Sequence, residues 1–166
     1  LFIVFFLRSF LVEPYQIPSG SMIPTLEIGD FILVNKYAYG VRLPVLGTKV
    51  IDVGEPARGE VMVFVPQHSS DYFIKRVIGL PGDKISYKNK TLYINGERLS
   101  YTFEREFGRP MPPDGRRVAV REYTEQLGDV AHPVWRYPWL EAPESWQVPQ
   151  DHYFMMGDNR GASFDS

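Results

Sequence analysis

The sequence contains no cysteine, which excludes disulfide bonds, thiolate nucleophiles and cysteine-ligated zinc. Histidine is scarce. His68, His132 and His152 stand in separate segments with neither His-x-x-x-His nor Glu-x-x-His spacing, so no metal site is expected, and no other cofactor. A strong charge of one sign is missing too. The 18 basic and 20 acidic residues leave a net charge of −2, without the basic excess that nucleic acid demands. No apolar run is long enough to span a bilayer: Leu1 to Val12, interrupted by Arg8 and Ser9, would reach about 18 Å as a helix, against a hydrocarbon core of about 30 Å. Long helices have little room, because 14 glycines and 14 prolines are scattered through 166 residues.

The apolar opening admits three readings. It could be a buried helix, or a secretory signal, whose basic residues should precede the apolar run rather than interrupt it. It could also be the last turns of a transmembrane helix, with Arg8 snorkelling to the headgroups and Glu13-Pro14 breaking the helix as it emerges. Residues 1–12 are assigned to the third, as the tail of a transmembrane helix. The start at Leu1 and the stop inside a polar motif mark the chain as a piece of a longer protein.

After Pro14, short runs of Val, Ile, Phe and Tyr alternate with Gly, Pro, Asn and Asp, the pattern of a β protein. Phe31 to Val34, Val61 to Val65, Tyr72 to Ile78 and Tyr153 to Met156 read as core strands. Lys84 to Lys88, Thr91 to Ile94 and Glu97 to Leu99 read as shorter ones, with a type I′ hairpin at Asn95-Gly96. From Ser100 the pattern fades into charged and Pro-rich sequence. The expected fold is mainly β: an antiparallel core over 13–99 and 147–166, with an inserted β-rich or irregular subdomain at 100–146. Trp135, Tyr137, Trp139 and Trp146 suit a membrane interface or packing inside the insertion, and packing is favoured.

Three segments could carry chemistry. Pro18-Ser19-Gly20-Ser21-Met22-Ile23-Pro24-Thr25-Leu26 is a stiffened, hydroxyl-rich loop able to present a serine, although an ordinary turn would have the same composition. It is not a Gly-x-Ser-x-Gly elbow, since position 23 is Ile. A serine nucleophile needs a base, and no particular histidine stands out. Lys75 is the remaining candidate: as a strand residue it shares a face with Phe73 and Val77, and desolvation disfavours an ammonium that could not accept the serine proton. Arg76 points to the opposite face, and a Lys-Arg pair also fits a solvated edge strand. Gly157 to Ser166 is a polar segment, which taken bare is an Asx-type turn.

In order, Gln16 to Leu26, then Lys75-Arg76-Val77-Ile78-Gly79-Leu80-Pro81-Gly82-Asp83, then Gly157-Asp158-Asn159-Arg160 with Ser163 and Asp165, resemble the conserved boxes of the bacterial signal peptidase I family, which are Ser/Lys-dyad serine proteases. Gly29-Asp30, Gly59-Glu60-Val61 and Leu92 to Gly96 fit the same pattern. The resemblance implies Ser21 as nucleophile and Lys75 as general base, with Ser163 orienting the lysine amine. It implies Ser19 and the Ser21 N–H as oxyanion donors, and Arg76, Asp158, Arg160 and Asp165 as supports. Ile17, Pro18, Met22, Leu26, Ile32, Val63 and Ile74 would line apolar pockets for residues −1 and −3 of a signal peptide. The implied enzyme is a membrane-bound endopeptidase without cofactor or metal. Its partners would be signal peptides of exported preproteins and the lipid bilayer, and its place the periplasmic face of the bacterial inner membrane. The family's motif continues with an Arg after Asp165-Ser166, where this chain stops. Two other functions remain open: a self-cleaving Ser/Lys repressor-type protease, and a non-enzymatic β-rich peptide-binding module of a secretion apparatus.

Overall fold

A computed structural model of the chain describes residues 12–35, 41–42, 49–51, 54–66 and 70–161. Val12, placed by sequence at the end of an apolar helix, opens a strand, and 1–11 lie outside the described residues. In chain order the strands are β1 (Val12–Gln16), β2 (Phe31–Asn35), β3 (Val41–Arg42), β4 (Lys49–Ile51), β5 (Val61–Phe64), β6 (Phe73–Gly79) and β7 (Lys84–Lys88). They continue with β8 (Thr91–Ile94), β9 (Glu97–Arg98), β10 (Ser100–Met111), β11 (Arg116–Leu127), β12 (Val130–Arg136), β13 (Glu144–Gln147) and β14 (Phe154–Met156). A 3-10 turn at Gly20–Met22 is the one helical element among the described residues, and none of them forms a helix long and apolar enough to cross a membrane. The strands pair antiparallel, so the fold is mainly β, as the alternation of apolar and turn residues predicts.

The chain divides into two compact units. The first takes 1–18 and 28–56; in it β1 pairs with β2 and β3 with β4. The β1–β2 pair is closed by reciprocal main-chain bonds, Ile17 N–H to Asp30 O and Gly29 N–H to Ile17 O, both 2.9 Å. Gly29 takes φ +94° at this turn, a value that favours glycine.

The second unit, 19–27 and 57–166, holds three sheets: β14-β6-β5, β13-β7-β8-β9 and β10-β11-β12. β6 is the middle strand of its sheet and is buried from Ile74 to Gly79. It leads to β7 through Gly79-Leu80-Pro81-Gly82-Asp83, a turn that Asp83 ties. Its carboxylate accepts the Leu80 N–H at 2.7 Å, Arg58 Nη2 at 2.8 Å and Asn95 Nδ2 at 2.8 Å. The expected hairpin at Asn95-Gly96 has φ of 53° and 86°, as a type I′ turn requires.

Residues 100–146 carry more regular structure than their composition indicates, since β10 and β11 are each 12 residues long. The apolar alternation is hidden because β11 serves two cores. Val120 packs with Ile23, Trp135 and Tyr137, whereas Leu127 packs with Ile78, Ile85, Leu92 and Phe154. Between them the buried side switches from even to odd positions, and Glu104 forms a bulge on β10 where the register shifts. The large aromatics pack. Trp135 and Tyr137 are buried, Trp139 stacks on Tyr137 at 4.4 Å and Trp146 lies 4.7 Å from Phe154.

Candidate active site

Ser21 lies in the 3-10 turn Gly20–Met22, entered from Ser19 in extended backbone. Its neighbours pin the turn, because Met22 and Ile23 are buried and Ile23 reaches the Val120–Trp135–Tyr137 cluster of the β10–β12 sheet. The Ser21 side chain itself is only half-buried, and Ser19 is exposed. Ser21 Oγ lies 3.5 Å from the Ile74 carbonyl oxygen and 3.5 Å from Ser19 Oγ, both long for hydrogen bonds. Ile74 immediately precedes Lys75, so the strand bearing the lysine runs beside the serine.

Lys75 is buried, at 4% exposure, with Val77 on its own face and Met62 opposite on β5. Arg76 is not a solvated edge residue. β6 is paired on both sides, to Val61 and to Met156 at this position, and Arg76 is 5% exposed. Its guanidinium forks onto Asp158, Nε to Oδ1 at 2.9 Å and Nη2 to Oδ2 at 2.7 Å, while Nη1 reaches the Gly59 carbonyl at 2.7 Å. The Thr25 hydroxyl donates to Asp158 Oδ2.

The segment Gly157-Asp158-Asn159-Arg160 is wholly buried and clasps the serine turn. The Asn159 N–H donates to the Ser21 carbonyl at 3.0 Å and Asn159 Nδ2 to the Gly20 carbonyl at 2.8 Å. From the other side β12 grips the same segment: Trp135 N–H donates to the Asp158 carbonyl at 3.0 Å, and Trp135 forms a parallel bridge with Asn159.

A chain of charges continues inward. His132 stands between two carboxylates, Nε2 3.1 Å from Glu125 Oε1 and Nδ1 3.3 Å from Asp158 Oδ1. The second is a charge contact rather than an aligned hydrogen bond. Arg160 holds Glu125 with two bonds, 2.7 and 3.1 Å, and donates Nε to the Gly157 carbonyl at 2.8 Å. The Tyr101 hydroxyl donates to Glu125 Oε2 at 2.5 Å. Burial alone would raise the carboxylates, but the cations outweigh it. Arg160 and His132 hold Glu125 down to about 2, and Arg76 and His132 hold Asp158 well below the usual carboxylate range. For His132 burial works against the charged ring, and the Asp158 and Glu125 carboxylates raise it nonetheless. These oxygens are taken up by protein cations, and no group of three acidic or histidine side chains among the described residues is arranged to hold a metal ion.

Ser19, Ser21, Met22, Leu26, Val63, Ile74, Lys75, Arg76, Asp158 and Arg160 thus lie in the second unit. Met22 and Ile74 are buried, and Leu26 and Val63 half-buried. Ile17, Pro18 and Ile32 belong to the first unit, where Ile17 is buried, Ile32 half-buried and Pro18 exposed. Ser163 and Asp165 lie outside the described residues. The sequence reading missed Thr25, Glu125, His132 and the side-chain role of Asn159. One signal was available: a two-residue turn at Gly128-Asp129 sets Leu127 against Val130 and hence Glu125 directly opposite His132, the register observed.

The family model described as signal peptidase, peptidase S26, matches residues 1–166. The chain is 55% identical over 172 residues to Signal peptidase I of Pseudomonas aeruginosa and 53% identical over 171 residues to that of Pseudomonas fluorescens, covering 100% of this chain in both cases. It spans 58% of the length of these two relatives. Signal peptidase I of Bacillus caldolyticus is 34% identical over 160 residues, covering 96% of this chain and 71% of the relative. The chain belongs to the signal peptidase family, peptidase S26.

Proposed function

We propose that this chain carries the catalytic region of a membrane-bound serine endopeptidase that removes signal peptides from exported preproteins, with Ser21 as nucleophile and Lys75 as general base. The observation that carries this reading is the approach of Ser21 Oγ to within 3.5 Å of the Ile74 carbonyl, one residue before the buried Lys75. In the reaction Ser21 Oγ attacks the scissile carbonyl carbon and the hydroxyl proton passes to the neutral Lys75 amine, which returns it to the leaving amino group. The resulting acyl-enzyme on Ser21 is hydrolysed by a water that Lys75 deprotonates in turn. The oxyanion is held by the Ser21 N–H and the Ser19 hydroxyl, which already faces Ser21 Oγ at 3.5 Å. The family resemblance also assigns Ser163 to orient the lysine amine and Asp165 to a supporting role. Half-buried Leu26 and Val63 offer apolar surface for small residues at −1 and −3, and the buried Met22 and Ile74 belong to the same proposed pockets. The site of action is the periplasmic face of the bacterial inner membrane, where the signal peptide of an exported chain emerges.

Full-length protein in detergent tests this with a serine-reactive acyl probe and one preprotein. Ser21→Ala should abolish labelling and lower the cleavage rate about 10⁴-fold or more. Lys75→Arg should be inactive as well, because a guanidinium stays charged and cannot take the proton. Turnover by either variant at a rate near that of the parent would overturn the dyad.

A further inference from the structure

We infer that His132 is a positioning residue for the reaction at Ser21, holding the Asp158–Asn159 segment in register only while its ring carries both protons; this rests on Ser21 being the nucleophile. The geometry runs without a gap from the ring to the serine. His132 contacts Asp158 at 3.3 Å, Asp158 is followed by Asn159, and Asn159 holds the carbonyls of Ser21 and Gly20 at 3.0 and 2.8 Å. Asp158 also ties Thr25, at the far end of the serine loop, to Arg76, the neighbour of Lys75 on β6. Both halves of the dyad are therefore braced on one carboxylate, and that carboxylate leans on β12.

The charged groups facing His132 are Asp158, itself held by Arg76, and Glu125, itself held by Arg160 and Tyr101. Only the doubly protonated ring can donate toward a carboxylate at each nitrogen. The neutral ring would turn a lone pair toward one of two buried anions at 3.1 or 3.3 Å, and repulsion there is poorly screened. Each carboxylate is held by two bonds from an arginine, Glu125 by Arg160 and Asp158 by Arg76, and it is Asp158 that adjoins Asn159 in the chain and so couples the ring to the serine turn. A shift of Asp158 passes to Asn159 and to the Ser21 turn, where a misplacement of about 1 Å costs about a hundredfold in rate. The upward shift of His132 caused by the two carboxylates puts this loss above the ordinary histidine range. The His132 clamp therefore weakens as pH rises, and the alkaline limb of the activity profile belongs to His132.

The test uses full-length protein in detergent with isotope-labelled histidine. The His132 ring resonance is assigned by its disappearance in His132→Gln, and kcat and KM for one preprotein are followed against pH. The expected results are a His132 midpoint above the ordinary value of about 6.5 and an alkaline fall in kcat at that same midpoint. His132→Gln should lose that limb, with kcat about 10- to 100-fold below the parent's maximum and KM within about twofold. A midpoint at or below the ordinary value overturns the inference, as do superimposable profiles of parent and variant. If His132→Gln does not fold, residue-specific assignment by a second histidine substitution still allows the parent's two midpoints to be compared, and a mismatch of more than about one unit is fatal. Cleavage that survives Ser21→Ala would sink the nucleophile assignment instead, and leaves the His132 midpoint as a separate measurement.

Discussion

Salt bridges of the same chemistry occur in two regions of this protein and have opposite meanings. On the ribbon of β10 and β11, Arg121 meets Glu106 at 2.6 Å with side chains 61% and 45% exposed. In the interior, Arg76 meets Asp158 at 2.7 Å and Arg160 meets Glu125 at 2.7 Å, with all four side chains at 6% exposure or less. Bond length does not separate them; solvent does. On the ribbon, water and salt stand in for either partner. In the interior neither partner can be removed without stranding the other, along the whole chain Arg76–Asp158–His132–Glu125–Arg160. Such a chain is a poor source of net stability and a good source of fixed geometry, and here it borders the serine turn.

The largest effect that would sharpen this contrast is expected from Asp158→Asn. It leaves the Arg76 guanidinium buried without a counter-charge, at a cost of about 3–5 kcal/mol read from urea unfolding, and it loosens the segment that holds Ser21. A loss no larger than that of an exposed pair would erase the distinction between the two regions.

A second, smaller effect is expected from pH. The folded value of Glu125, about 2, lies below its ordinary value of 4.5, and Asp158 is lowered as well. A carboxylate lowered on folding contributes stability that is fully present above its unfolded value and is lost as pH falls through the folded one. Thermal midpoints should therefore hold steady down to about pH 5 and drop between about 4.5 and 2, with a shallower drop in Glu125→Gln. His132 has the opposite sign: its contribution is complete below its ordinary value and fades as pH rises through its raised one. A midpoint that ignores acid in that window would show that the interior carboxylates are not held as ion pairs.

The two regions also differed in how far they could be read from sequence. The shorter strands were legible because β7 alternates cleanly and Asn95-Gly96 names the turn after β8; β7 and β8 fall on their expected bounds. The serine turn and the lysine strand were legible as local motifs, and the resemblance joined them. Arg76 was named as a support by the resemblance alone, because a Lys-Arg pair by itself also fits an edge until the partners on both sides of β6 are known. The interior charge chain was illegible for a stronger reason. Its members come from β6, β11, β12 and the segment after β14, and apart from Glu125 and His132, which the Gly128-Asp129 turn sets opposite each other, pairing over such separations leaves no local trace. Nor could β10 and β11 announce themselves, since a mostly exposed ribbon that changes its buried face midway has no sustained period.

The smallest effect tests the exposed side of the comparison. Glu106→Gln removes the carboxylate that Arg121 Nε touches at 2.6 Å, a length that by itself would suggest a strong bond. Arg121 keeps its hydration when the partner is gone, because its side chain is 61% exposed. Two long side chains also regain rotamer freedom that the pair had restricted, which offsets the small attraction lost. At about 0.1 M salt the screening length is about 10 Å, so exposed charges elsewhere on the ribbon do not make up a hidden network term. The urea midpoint and the preprotein cleavage rate of Glu106→Gln should both match the parent within error, and raising the salt to about 1 M should not separate the two proteins. A destabilisation approaching that of Asp158→Asn would mean that the ribbon pair is shielded from water by something bound over it, and that exposure in the free chain is the wrong guide to which of these salt bridges matters.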